Sequence, residues 1–206
     1  MQRPILSDFE RQRLHGRVQL LVAITITYNV VEAVIAISAG TIAGSTALIG
    51  FGLDSVIEVS SAGIVAWQFS AANPEGREQT ALRVISVSFF ALAAYVTIES
   101  TRALLTSAEA EPSTVGIALA AVSLAVMPFL SYAQRKAGRS LGSASAVADS
   151  KQTLLCTYLS AVVLVGLVAN SAFGWSWADP MAGLIIAAIA VKEGREAWRG
   201  NACCTP

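Results

Sequence analysis

Charge is scarce in this chain. Only 14% of its 206 residues are Asp, Glu, Lys or Arg, where a soluble globular domain carries roughly a quarter. Acids and bases balance to a net charge of zero and no basic stripe is present, which excludes a nucleic-acid footprint. Histidine is nearly absent: the sole one, His15, lies in the polar N-terminal segment. Neither a His-rich cluster nor a nucleophile–base pair stands in the apolar runs, so an enzyme is not expected, nor a resident cofactor. Cysteine is equally sparse, and three residues make no disulfide framework. Cys156 falls inside an apolar run, while Cys203 and Cys204 are adjacent in the tail, where a disordered segment is the simplest reading. No cleavable signal is visible, because the first apolar run is too long and leads straight into others. No repeat period is visible either.

What the chain has instead is apolar sequence, 54% of all residues. It falls into six runs, at about 18–39, 47–70, 80–105, 114–134, 145–170 and 179–198, each near the ~20 residues that cross a bilayer as a helix. The expected fold is therefore all-α, a polytopic membrane protein with a bundle of six transmembrane helices. Residues 1–17 form a polar N-terminal segment, 18–198 the transmembrane domain and 199–206 a short tail, with no soluble C-terminal domain expected. The connections alternate in charge. The turn from Asn73 to Arg77, the loop from Gln134 to Arg139, and both termini carry Lys or Arg. The connections 40–46, 107–113 and 171–178 carry none, and the second of these holds Glu109 and Glu111. The positive-inside rule then places both termini and the two basic loops in the cytoplasm. The expected location is the cell membrane (the inner membrane in a Gram-negative bacterium), as a multi-pass protein.

Against this background the polar side chains within or beside the spans stand out: Glu32, Asp54, Glu58, Glu99, Asp149, Cys156 and Asp179. An acid at bilayer depth must be protonated, paired or metal-bound, and acids kept there mark ion or proton pathways. The stretch Phe51-Gly52-Leu53-Asp54-Ser55-Val56-Ile57-Glu58 carries two carboxylates four residues apart, one helical turn, so both point to the same side. Ala47, Gly50, Ser61 and Ala62 share that side, a small polar-tolerant face suited to a packed interior. In the fifth span Asp149, Gln152 and Cys156 form one helical stripe. Gln152 and Cys156 repeat the spacing of Asp54 and Glu58. Two helices giving two donors each can surround an ion tetrahedrally, and mixed oxygen, nitrogen and sulfur donors favour zinc, with cadmium as the softer second. Taken singly, Cys156 reads equally as a small buried hydrophobe and Gln152 as a helix–helix hydrogen-bond donor. The remaining acids read as structural. Glu32 follows Tyr28 and Asn29 and is read as a salt-bridge or hydrogen-bond partner of a neighbouring helix, or as an outer-shell or gating group. Glu99 pairs with Arg102 on its own helix, and Asp179-Pro180 starts the sixth helix with Asp179 as its N-cap.

Three segments carry a resemblance. Gly52-Leu53-Asp54-Ser55-Val56-Ile57-Glu58, Ala148-Asp149-Ser150-Lys151-Gln152-Thr153-Leu154-Leu155-Cys156, and Trp177-Ala178-Asp179-Pro180-Met181-Ala182-Gly183-Leu184 with Lys192-Glu193-Gly194 together resemble the cation diffusion facilitator (cation efflux) family. The resemblance covers essentially the whole chain. It implies four ligands for a transported divalent cation, Asp54 and Glu58 from the second span and Gln152 and Cys156 from the fifth, with Asp149 as a replacement for Gln152. Glu58 and Cys156 stand where the family usually has Asp, and Gln152 stands where it has His or Asp. The family's common C-terminal metal-sensing domain has no counterpart here. The resemblance further implies export of zinc-like ions against inward proton flow by alternating access, usually as a homodimer, which here the membrane helices would hold. The expected partners are the metal ion, protons and the lipid bilayer. The alternative is a non-transporting membrane regulator or sensor that keeps the fold and binds metal.

Overall fold

A computed structural model describes residues 8–69, 75–106, 110–141 and 144–199. They form six helices and, among the described residues, no strand: α1 Asp8–Ala43, α2 Thr46–Phe69, α3 Glu75–Thr106, α4 Thr114–Leu141, α5 Ala144–Phe173 and α6 Ala178–Trp198. The all-α bundle expected from the apolar runs is the fold observed. The helices outrun the apolar stretches because polar turns extend α1, α3, α4 and α5 beyond them. Five helices, α1 to α5, are long and apolar enough to cross a membrane. The shorter α6 ends in the charged run Lys192-Glu193-Gly194-Arg195-Glu196. Lys192 reaches Glu193 at 3.7 Å and Glu196 at 3.8 Å there, with Lys192 exposed and Glu193 largely covered.

Two of the helix ends are made by glycine. Gly44 (φ 64°) and Gly174 (φ 66°) adopt the left-handed conformation just beyond α1 and α5, which costs a Cβ-bearing residue but not glycine. Ser45 N–H then returns to Gly40 O at 2.9 Å, and Gly174 N–H to Asn170 O at 2.9 Å.

Helices α1, α2, α4 and α5 pack as one group, and α3 and α6 pair beside it against α2 and α5. Small residues allow this, since helix association in lipid rests on close packing. A Cβ on Gly52 would lie 2.7 Å from Ile37 Cγ1 and 3.0 Å from Ala36 Cβ, so α1 and α2 touch backbone to backbone. Helices α3 and α6 run antiparallel. Ser100 lies on Gly183, while Ser86 Oγ donates to Gly194 O at 2.6 Å. The stretch Ala91-Leu92-Ala93-Ala94 of α3 packs on one side only. Leu92 and Ala93 are buried against α6 within the chain's second core, while Ala91 and Ala94 are exposed. Glu99 and Arg102 form the expected ion pair at 3.3 Å.

The three connections without Lys or Arg meet at one end of the bundle. Glu111 N–H donates to Ala43 O at 2.7 Å, Asn170 Nδ2 to Ala110 O at 2.6 Å, and Asp179 bonds the start of α2. Phe173, Trp175 and Trp177 stack there with centroids 5.1 and 5.6 Å apart and are well exposed, as aromatic residues at a membrane–water interface do. At the other end Arg77 lies 4.3 Å over the Trp67 ring, and the last turns of α4 carry Arg135, Lys136 and Arg139. The charge asymmetry read along the sequence is thus an asymmetry between two ends of one bundle.

Asp179 corrects an expectation. It does not cap α6, whose N-cap residue is Trp177, without a side-chain bond. Its carboxylate crosses to α2, taking the Ser45 hydroxyl at 2.5 Å and the N–H groups of Thr46 and Ala47 at 2.9 and 3.3 Å. Ser45 in turn accepts from Leu48 N–H at 3.1 Å. The role is structural, as expected, but the helix served is a different one. The reason is geometric: Asp179 lies within the first turn of α6, where its side chain points outward, and the exposed N–H groups of α2 lie within its reach.

Candidate functional site

The site is built from the helices that supply its polar groups. Asp54 and Glu58 lie one turn apart on α2 and are 1% and 0% exposed. Asp54 Oδ2 is buried with no hydrogen-bond partner, an expensive state for a carboxylate oxygen. Glu58 Oε1 accepts from Thr153 Oγ1 of α5 at 2.5 Å. Cys156, on the same side of α5 one turn beyond Thr153, is fully buried and reduced. Its sulfur lies within electrostatic range of Glu58, Glu32 and Asp54. The second and fifth helices therefore do face one another through these residues, and three of the expected donors lie in one buried region.

Gln152 also borders a second space. Consecutive residues on a helix are separated by about 100°, so Gln152 and Thr153 flank the direction of Cys156 on opposite sides. Thr153 takes the side facing α2. Gln152 lines a small cavity with Leu82, Ile85 and Phe89 of α3 and Glu193 and Glu196 of α6. Its Nε2 is buried there without a hydrogen-bond partner. Asp149 is in the first turns of α5, and its side chain lies outside the described ones, as do Cys203 and Cys204.

Sequence reasoning left one residue at the margin that the structure brings in. Glu32 of α1 is 1% exposed and hydrogen-bonded on both oxygens. Ser55 of α2 donates to Oε2 at 2.8 Å, and Ser123 of α4 donates to Oε1. Cys156 Sγ lies 3.8 Å from Oε2, a long thiol contact. Tyr28, one turn before Glu32, meets Ser123 at 2.8 Å. Of the salt bridge or hydrogen bond to a neighbouring helix expected for Glu32, the hydrogen bond is what forms. What was not legible is that the bonded neighbours belong to the same buried cluster. A signal was present: Thr25, Tyr28, Asn29 and Glu32 form one polar stripe along the apolar part of α1.

Among the described residues no Lys or Arg bridges Glu32 or Asp54; the ion pairs there are Arg102 with Glu99 and Lys192 with Glu193 and Glu196. Also among the described residues, no three acidic, histidine or cysteine side chains already converge as a metal cage. The hydroxyls of Ser55, Ser123 and Thr153 hold the carboxylates of Glu32 and Glu58 instead. Chemically the region offers carboxylate oxygens, one thiol and neutral hydroxyls, all buried, with no Lys or Arg among the described residues paired to Asp54 or Glu32. Such a set suits a divalent cation supplied from outside, and the hydroxyls can release the carboxylates to it at little cost, one hydrogen bond being exchanged for a metal bond.

A family model described as the cation efflux transmembrane domain matches residues 22–202. Among curated proteins, an uncharacterized transporter of Synechocystis sp. is 26% identical over 158 residues, which is 72% of this chain and 51% of that protein. The chain thus spans about half the length of that relative.

Proposed function

The chain belongs to the cation efflux family, and from that membership we propose that it carries divalent transition-metal cations across the membrane, zinc first and cadmium second. Asp54, Glu58 and Cys156 are the ligands in this reading, with Gln152 or Asp149 as the fourth donor. The observation that carries it is the burial of two carboxylates and a thiol from facing helices in one region, with Asp54 Oδ2 unpartnered. Buried anionic groups repel one another when empty, and either protons or a metal ion relieves the repulsion. Competition between the two for the same groups is the minimum requirement for proton-coupled efflux, and alternating access would expose the loaded site to one side at a time. A homodimer, held through the membrane helices, follows from the family resemblance.

Metal flux into liposomes tests the reading, with wild type, Asp54→Ala and Cys156→Ser side by side. Loss of flux in Asp54→Ala, together with an altered zinc-to-cadmium ratio in Cys156→Ser, is expected. Unchanged flux in Asp54→Ala would remove the site.

One observation favours a second reading, a metal-binding membrane regulator that keeps the fold without transport. It is that Gln152, a poor zinc ligand in any case, lines the cavity against α3 and α6, and that among the described residues no three acidic, histidine or cysteine side chains already converge as a metal cage. Tight zinc binding without flux would select that reading.

A further inference from the structure

Three helices, not two, converge on the buried cluster. Glu32 enters it from α1, and four facts fix its place there. It is 1% exposed, on a helix whose neighbouring turns face lipid with Val30, Val31 and Val34. Its Oε2 meets Ser55, one residue from Asp54 on α2. The same oxygen lies 3.8 Å from Cys156 Sγ on α5. Asp54, the neighbour of Ser55 on α2, has its Oδ2 buried without a partner. Gln152, by contrast, opens onto the cavity against α3 and α6.

We propose that the cation is bound between α1, α2 and α5, with Glu32 as a direct ligand beside Asp54, Glu58 and Cys156, and with Gln152 outside the ligand set. The proposal rests on the cation-binding reading above and changes its fourth donor. Chemically it resolves the weak point of that reading. A neutral amide is replaced by a carboxylate, giving three oxygen donors and one sulfur, a set that satisfies a four-coordinate zinc or cadmium ion. It also gives the serine pair a role. Ser55 and Ser123 hold Glu32 in place when the cation is absent and orient it when the cation is present, as hydrogen-bonding neighbours of metal ligands do. Because α1 then carries a ligand, loading the site ties α1 to α2 and α5.

Cadmium is the probe, because a cadmium–thiolate bond gives a charge-transfer absorption that counts sulfur ligands. The purified full chain carrying Cys203→Ser and Cys204→Ser, so that Cys156 is its one remaining thiol, is titrated with Cd2+ and the band is read per bound ion; this background serves as wild type in the comparisons that follow. The wild type should show the band of one thiolate, and Cys156→Ser should lose it. Glu32→Gln should weaken binding at least about tenfold, while Gln152→Ala should stay within about threefold of wild type. A carboxylate that only positioned other ligands would also weaken binding when replaced, so the deciding variant is Glu32→Cys. A thiolate at a ligand position should roughly double the band per bound Cd2+. An unchanged band with cadmium still bound overturns the proposal. If Glu32→Cys does not fold, as judged by size exclusion, Gln152→Cys decides. An unchanged band there supports the proposal, and a doubled band overturns it by placing position 152 in the shell. A wild type that binds no cadmium, or binds it without the thiolate band, overturns the shared cation site itself and Glu32's part with it, a result distinct from failure of the Glu32 variants alone.

Discussion

Replacing Asp179 probes how the outer end of the bundle is built. The first N–H groups of a helix have no partner within it. In α2 those of Thr46 and Ala47 go to the Asp179 carboxylate, and that of Leu48 goes to Ser45, itself bonded to Asp179. Asp179→Ala would leave two backbone donors and a hydroxyl buried without their acceptor. Each orphaned buried group costs about 1–3 kcal/mol. The 3.3 Å bond from Ala47 is the weaker one, so the sum is about 3–5 kcal/mol. Asp179→Asn keeps one oxygen in place but loses the negative charge at a helix N-terminus, a cost of about 1–2 kcal/mol. For a chain of this length each kcal/mol moves the melting midpoint by about 2–4 °C. Thermal unfolding in detergent, followed by circular dichroism, should therefore place Asp179→Ala about 10 °C below wild type and Asp179→Asn between them. An alanine variant melting within about 2 °C of wild type would refute the capping account. The same experiment separates the role found here from an N-cap on α6, since Ser45→Ala should share part of the loss only if Asp179 serves α2.

Three further outcomes follow from packing and chemistry. Gly52→Ala should destabilise the protein by about 1–3 kcal/mol in the same unfolding assay, because its Cβ would meet Ile37 Cγ1 at 2.7 Å and Ile37 N at 3.0 Å. Gly63→Ala, whose Cβ meets nothing within 4 Å, should be neutral or stabilising by up to about 1 kcal/mol; equal losses at the two sites would contradict the close α1–α2 contact. Dissipating a pH gradient with an ionophore should slow zinc uptake into proteoliposomes severalfold, and uptake indifferent to the gradient would end the proton-coupled account.

The bundle was legible because the bilayer imposes a length on every apolar run and a cost on every buried charge. Asp54 and Glu58 stood out for that reason, and Cys156 through its spacing on the facing helix. For Gln152 the spacing left the side open, since a three-residue and a four-residue offset from Cys156 lie on the same broad face, and only packing decides which side meets α2. Thr153 took that side. Glu32 was harder, because a lone acid on α1 has no second acid one turn away, and its hydroxyl partners Ser55 and Ser123 come from other helices. Asp179 shows the same limit: Asp-Pro is a local helix-start signal, while the helix that Asp179 caps begins 133 residues earlier in the chain. Motif spacing speaks for one helix at a time. Which helix face meets which is fixed by small residues such as Gly52 and Gly183, whose effect is felt only in three dimensions.

The central claim is that a divalent cation passes through the buried cluster anchored by Asp54. Zinc uptake by proteoliposomes holding equal amounts of wild type and Asp54→Ala tests it most directly. Wild type should accumulate zinc well above protein-free liposomes, and the variant should fall to their level. Equal uptake by the two proteins would contradict the account.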